Sequence, residues 1–312
     1  MFSAFHAEKL SRRVLLAAAG AFLGAPPLAA QTGAPPLRFG LSEGVVAGMN
    51  INDARAAMRV WLRRVAGDLQ VQLALVPEVF ESFERIESQL RQGGLDAVGI
   101  DMIEYRQLAR LLSSRCVVVP AQRDPLSYVV LVKQGAGIKT IAGLRGRRLM
   151  MLTSQHARLA PHWLSTLLHA QENSEPAHFF SSVTAKGKPS QVILPVFFGQ
   201  ADACVVTRHG FLTMGELNPQ VTARLDPIAQ SPQVVAMLYA FRRDVDEAGL
   251  QKTLQILGSV PQSAAGRQLL ALFQFDRLEA RGLDSLKDSL AILDEAAKIG
   301  RQHPPSAAEW GL

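Results

Sequence analysis

The chain has 312 residues, 48% hydrophobic and 19% charged, a globular composition that excludes a disordered or fibrous protein. Its formal charge of +6 is scattered, with neither a run of basic residues nor aromatics between them, so a nucleic-acid surface is excluded and only a mild preference for anions remains. The two cysteines, Cys116 and Cys204, fit no zinc or redox spacing; both lie in apolar strand-like runs, where inert thiols are expected, with a disulfide as the alternative.

Residues 1–30 read as a cleaved export signal. Lys9, Arg12 and Arg13 precede the apolar run Val14–Leu23, and Leu28-Ala29-Ala30 closes the segment with small residues. The apolar run, about ten residues, is too short to span roughly 30 Å of hydrocarbon. Ser11-Arg12-Arg13-Val14-Leu15-Leu16 resembles a twin-arginine export signal, and the general and twin-arginine routes both stay open. No cysteine stands at the expected cleavage point, so a lipid anchor is not expected. The leader carries three basic residues and one acidic residue, a net of +2, which leaves +4 on a mature chain of about 280 residues. That length buries a large core and commonly divides into two lobes.

Strand-like and helix-like stretches then alternate, the signature of an α/β fold. Leu37–Leu41 predicts a strand ending at Ser42-Glu43-Gly44, and Asn52 a cap for a helix running to Arg64. Val71–Val76 predicts a strand. Phe80–Arg91 predicts a helix stopped by Gly93-Gly94. Ala97–Ile100 reads as a buried strand ending at Asp101, Ile103–Leu112 as a helix and Cys116–Val119 as a strand. Beyond Pro125, strands are expected at Tyr128–Val132, Arg147–Leu152 and Ala203–Val206, with helices at Pro161–Ala170 and Gln191–Phe198. Val234–Phe241 predicts a returning strand. Val245–Ile299 reads as helices, and 303–312 as a loose tail. The resulting division is 37–126 plus 236–302 as one lobe and 127–235 as the other.

In open parallel sheets ligands bind beyond the carboxyl ends of the strands. The residues there are polar: Ser42 and Glu43, Asp101, Thr153 and Ser154, Thr207 and Arg208. Two sheets with such ends facing one another make a cleft.

Three stretches carry a resemblance. Leu90–Asp101 places a helix end, glycines and an Asp-Ala strand before a polar loop. Ile138–Arg148 is a turn leading into a strand, and Val196–Val206 repeats the glycine-x-x-Asp-Ala pattern. Together they resemble the type 2 periplasmic solute-binding proteins, specifically the phosphonate/phosphite-type substrate-binding proteins of ABC transporters, over nearly the whole mature chain. The resemblance implies a two-lobed venus-flytrap α/β fold, with a parallel or mixed sheet in each lobe and a helical C-terminal tail. It also implies a periplasmic location, a captured small-molecule ligand and an ABC permease as partner. One departure stands out. Phosphonate binders usually open the second-lobe helix with a Ser-Thr-Ser-Gly-like loop, and this chain has Thr153-Ser154-Gln155-His156-Ala157.

Within that frame, Thr153 and Ser154 offer hydroxyls and backbone N–H groups at a helix entry to an anion; the alternative for Ser154 is a plain cap. Arg208 offers a planar fork for carboxylate or phosphonate oxygens, or else lies on the surface, with Thr207 beside it. Asp101 and Glu43 either meet a ligand amine or cap helices. Ser42, Ser127 and Tyr128 stand at strand ends or the crossing, and Tyr128 reads equally as hinge core. His156, His162 and His169 do not converge as metal ligands, and Gly135-x-Gly137 lacks the strand–glycine–helix order of a dinucleotide site. No nucleophile elbow, phosphate loop or metalloprotease motif occurs. The expectation is therefore a binding protein without cofactor, monomeric, that delivers an anionic solute to an importer. The alternatives are a sensory partner of a membrane receptor kinase and, third, an enzyme on the same fold.

Overall fold

The computed structural model describes residues 38–302 apart from 47–49, 54, 57, 61, 62 and 64–77. The expected signal segment, the expected strand Val71–Val76 and the expected loose tail lie outside the described residues.

Among the described residues eleven strands fall in two mixed sheets, each with helices on it. The first half of the chain gives β1 (Phe39–Ser42), helical residues within 51–63 (α1), β2 (Glu78–Phe80), α2 (Phe83–Arg91), β3 (Ala97–Asp101), α3 (Met102–Leu108) and β4 (Val117–Ala121). The chain then crosses to β5 (Tyr128–Lys133), β6 (Arg148–Leu152), α4 (Ala160–Glu172), α5 (Pro176–Phe179), β7 (Ser182–Lys186), α6 (Pro189–Phe197), β8 (Ala203–Thr207), α7 (Arg208–Leu217), α8 (Pro219–Arg224) and β9 (Leu225–Gln230). It returns through β10 (Met237–Phe241), α9 (Glu247–Ser259), α10 (Ala264–Leu272), β11 (Arg277–Arg281) and α11 (Lys287–Gln302).

The first sheet has the order β11-β4-β10-β3-β1-β2 and the second β7-β6-β8-β5-β9. Sequence-consecutive β4 and β5 sit in different sheets, as do β9 and β10, so the chain crosses between lobes at 122–127 and 231–236. This is a two-lobed α/β fold with two crossings. The last helix, α11, packs on α4 of the second lobe and α3 of the first.

Local chemistry accounts for the elements. β3 is buried at all five positions because neighbours flank it on both sides, parallel β1 and antiparallel β10. Gly99 is required there, since a Cβ would lie 2.3 Å from the Leu41 side chain and 3.0 Å from Tyr239. Ser82 caps α2 by accepting from the Arg85 N–H, and Gly93, at φ +69°, turns the chain out of that helix.

Several boundaries differ from expectation. Asn50, not Asn52, caps α1: its side-chain oxygen accepts from the N–H groups of Asn52 and Asp53 at 2.9 and 3.3 Å. Phe80 belongs to β2 rather than to α2. The stretch after Val245 is not all helical, because β11 pairs with β4 along its five residues. β7 and β9 were not expected at all. β7, β9 and β11 stand at a sheet edge, as does the equally unforeseen β2, and at an edge many side chains meet water and the apolar signal is thin.

Candidate functional site

The carboxyl ends of β1 and β3 in the first lobe face the loop after β6 in the second, and side chains from both lobes meet there. Asp101 ends β3 and caps α3. Its Oδ1 accepts from the N–H groups of Ile103 and Glu104 at 2.8 and 2.9 Å. Glu104 completes a capping box by accepting on Oε2 from the Asp101 N–H at 2.9 Å, and it also accepts from the Ser42 hydroxyl at 2.5 Å. From the second lobe Arg158 reaches across, donating from Nε at 3.0 Å to Asp101 Oδ2, with another guanidinium nitrogen 2.9 Å from the same oxygen. Asp101 is 1% exposed and the Arg158 side chain 39%, so the pair joins a buried carboxylate to a guanidinium at the rim.

Burial, and then the negative charge of Asp101, push the Glu104 carboxyl up to about 7. Gly44 lies over this cluster: a Cβ there would come 2.6 Å from Asp101 Oδ2 and 3.4 Å from Glu104 Oε2. Burial also lowers His162, with Arg158 adding to the effect and Asp101 opposing it.

The loop Gln155–Ala157 packs against both Glu43–Val46 and β8. Its side chains also tie the lobes. Gln155 donates from Nε2 to the Phe273 carbonyl at 3.1 Å, and the His156 ring meets Phe275 edge-on at 5.4 Å. Burial holds the His156 imidazole neutral, down to about 4. Below it the Tyr128 hydroxyl donates to the His156 carbonyl at 2.9 Å.

The nine sequence-derived residues divide by position. Ser42 and Asp101 join the cluster described above. Thr153 and Ser154 lead into the Gln155–Ala157 loop; the Thr153 N–H donates to the Lys186 carbonyl, and the Ser154 side chain caps no helix. Thr207, Arg208 and Ser127 form a second group at the first crossing. There Thr207 Oγ1 caps α7 by accepting from the Gly210 N–H, and the Arg208 N–H donates to the Ser127 carbonyl. The half-exposed Arg208 guanidinium lies 3.6 Å from Asp124. Glu43 is exposed, and Tyr128 is wholly buried in the second lobe beside Trp163. Sequence reasoning missed Glu104, Arg158 and Gln155. Asp101-x-x-Glu104 is a legible capping-box pattern, whereas nothing local marks Arg158.

A cavity of about 360 Å³ adjoins the loop, bounded by both crossing segments together with His156, Phe275 and Arg277. Both cysteines are free, Cys204 fully buried and its thiol pushed up by that burial. Among the described residues no three His, Cys, Asp or Glu side chains gather as a metal site, and no helix is long and apolar enough to cross a membrane.

A model of the ABC transporter phosphonate periplasmic substrate-binding family matches residues 45–284. No curated protein matches the chain by sequence. Among solved structures, XAC2383 from Xanthomonas citri, bound to ATP, is similar at a TM-score of 0.60 and 12% identity, covering 87% of this chain and 100% of that one. PhnD1 from Prochlorococcus marinus, in complex with methylphosphonate, gives 0.52 and 18%, covering 86% and 98%. The periplasmic aliphatic sulphonate binding protein SsuA from Escherichia coli gives 0.50 and 14%, covering 86% and 88%.

Proposed function

The chain belongs to the family of periplasmic phosphonate substrate-binding proteins of ABC transporters, and on that premise we propose that it captures a small oxyanion between its lobes and presents it to an ABC permease. The family is one of transport binding proteins, which supports reading the protein as a solute carrier rather than an enzyme, with a small molecule and a permease as its partners. The single observation that carries the reading is the junction of Asp101, at the end of β3, with Arg158, in the loop after β6, bridging the lobes where a closing cleft would hold its ligand.

We assign residues 37–126 with 236–302 to the first lobe and 127–235 to the second, hinged at the two crossings. Ligand contacts are assigned to Ser42 and Asp101 from the first lobe and to Thr153, Ser154, Thr207 and Arg208 from the second. Hydroxyls and loop N–H groups suit oxyanion oxygens, and a guanidinium adds charge-assisted bonds. Ser127 shapes the crossing, Tyr128 anchors the loop from below, and Glu43 lies at the rim. Residues 1–30 are assigned to export, without a lipid anchor, and the mature protein to a monomer. Closure follows the usual linkage: the ligand favours the closed state by its greater affinity for it.

The test is a thermal-shift screen of the mature chain against methylphosphonate, phosphite, phosphate, methanesulfonate and ATP. A ligand at about 100 times its dissociation constant adds roughly 2.7 kcal/mol, which raises the midpoint by several degrees at this size. A saturable shift with one of these anions supports the reading; a flat response to all of them removes it.

A further inference from the structure

The end of the second sheet remote from the crossings carries apolar and charged surface that the cleft does not use. The chain enters this sheet at Tyr128, so β5 reaches the remote end at Lys133, where β6 and β8 begin and where Leu225 of β9 pairs with Lys133. α6 also ends there. Its Phe197 is buried, while Phe198, set edge-on to it with ring centroids 5.0 Å apart, is 64% exposed. Three cations surround this ring pair. The Arg224 guanidinium lies 5.7 Å from the Phe197 ring centre, and Arg148 donates to the Gly199 carbonyl at 3.4 Å. The Lys133 ammonium stands 3.9 Å from where a Cβ on Gly199 would be. α7 runs back from the cleft to the same end and stops at Leu217, which is 79% exposed. Two of the acids at this pole are spent on ion pairs: Asp202 holds Arg148, and Glu172 holds Arg145, each at 3.0 Å. Glu216 and Asp226 remain, both exposed. Against these two, Lys133, Lys139, Arg147 and Arg224 are exposed and make no ion pair among the described residues.

We propose that this pole is a contact surface for an anionic phospholipid bilayer: Phe198 enters the headgroup layer, and the cations around it meet lipid phosphates. Aromatic rings favour that depth, where apolar and wet surroundings meet. Each cation near an anionic leaflet strengthens binding about fivefold. Phe198 projects from a helix end, and a headgroup layer accepts such a ring without the shaped pocket that a folded protein partner would have to supply. Its buried neighbour Phe197, covered in turn by Arg224, holds the ring in place. A binding protein of an ABC transporter works beside a bilayer, so a weak, reversible hold on that surface keeps it near its permease. The pole lies at the opposite end of the sheet from Leu152 and Thr207, where β6 and β8 meet the cleft, so the contact is independent of what the cleft binds.

Co-sedimentation of the mature protein with phosphatidylcholine vesicles, with and without phosphatidylglycerol, tests this. The wild type is expected to pellet with the phosphatidylglycerol vesicles and to stay in solution with pure phosphatidylcholine. Binding should weaken as salt rises, because exposed charges are screened beyond about 8 Å at physiological ionic strength. Phe198→Ser should weaken partition about tenfold. Lys133→Gln combined with Arg147→Gln should weaken it roughly 20-fold. Both variants should keep the wild-type melting point, since all three side chains are exposed. No binding to phosphatidylglycerol vesicles, or binding that neither variant weakens, overturns the assignment, even where the pole proves to contact a protein. If the Phe198 variant does not fold, the wild-type lipid comparison and the charge variant decide the matter.

Discussion

Replacing Glu104 by glutamine should change how stability depends on pH, because the fold holds this carboxyl in an unfavourable place for charge. In the unfolded chain Glu104 loses its proton near the ordinary glutamate value of 4.5; in the native state burial and the Asp101 charge raise it to about 7. Between those values the native protein binds a proton that the unfolded chain has released. Stability therefore falls as pH rises from about 4.5 to about 7, and levels off above. A tenfold change in proton affinity is worth about 1.4 kcal/mol, so the loss of stability amounts to about 3 kcal/mol. Glutamine keeps the acceptor oxygen for Ser42 and the Asp101 N–H and carries no charge. Urea unfolding of the mature wild type and Glu104→Gln, followed by tryptophan fluorescence at pH 5 and pH 8, measures the effect. The variant's stability relative to wild type should be greater at pH 8 than at pH 5 by about 3 kcal/mol. The same difference at both pH values would show that Glu104 is not held in a charge-penalising environment.

Other substitutions follow from the same geometry. His156, held neutral down to about 4 by burial, should contribute the opposite slope: stability is lost as pH falls from 6.5 toward 4, and His156→Gln should flatten that acid limb in the same urea titrations. Arg158→Met leaves Asp101 buried with only backbone partners. Since Arg158 is 39% exposed, the cost should lie between that of a surface pair and a buried one, about 1–2 kcal/mol, read as a melting point lower by about 4 °C. Thr207→Ala removes the cap on α7 and should cost about 1 kcal/mol by chemical denaturation. Gly266→Ala would place a Cβ 1.7 Å from the Val260 carbonyl oxygen and should cost several kcal/mol, about 3 or more, whereas Gly258→Ala meets open space and should be neutral or gain roughly 0.5–1 kcal/mol.

The parts of this fold that could be read from sequence are those buried on both sides. β3, β5 and β8 are central strands whose continuous apolar runs end in polar residues, so both the strands and the position of Asp101 and Thr207 at their ends were legible. β7, β9 and β11 lie at sheet edges and alternate or mix charge with apolar residues; in β11 Arg277, Glu279 and Arg281 form ion pairs along one face. The site divides the same way. That Ser42 and Asp101 stand at strand ends was legible because a strand end is a local feature. Arg158 and Gln155 were missed because what matters about them is a partner in the other lobe, 57 residues away for Asp101 and 118 for Phe273. Tyr128 shows the converse: a polar tip at a strand end suggested the cleft, but its hydroxyl serves the His156 carbonyl inside the core.

The central claim is that the lobes close on a small oxyanion, and small-angle X-ray scattering of the mature protein with and without saturating methylphosphonate tests it most directly. The account predicts a smaller radius of gyration on adding methylphosphonate, reversed on dialysis and reduced in Arg158→Met. An unchanged radius of gyration, in a protein that calorimetry shows to have bound the anion, would contradict it.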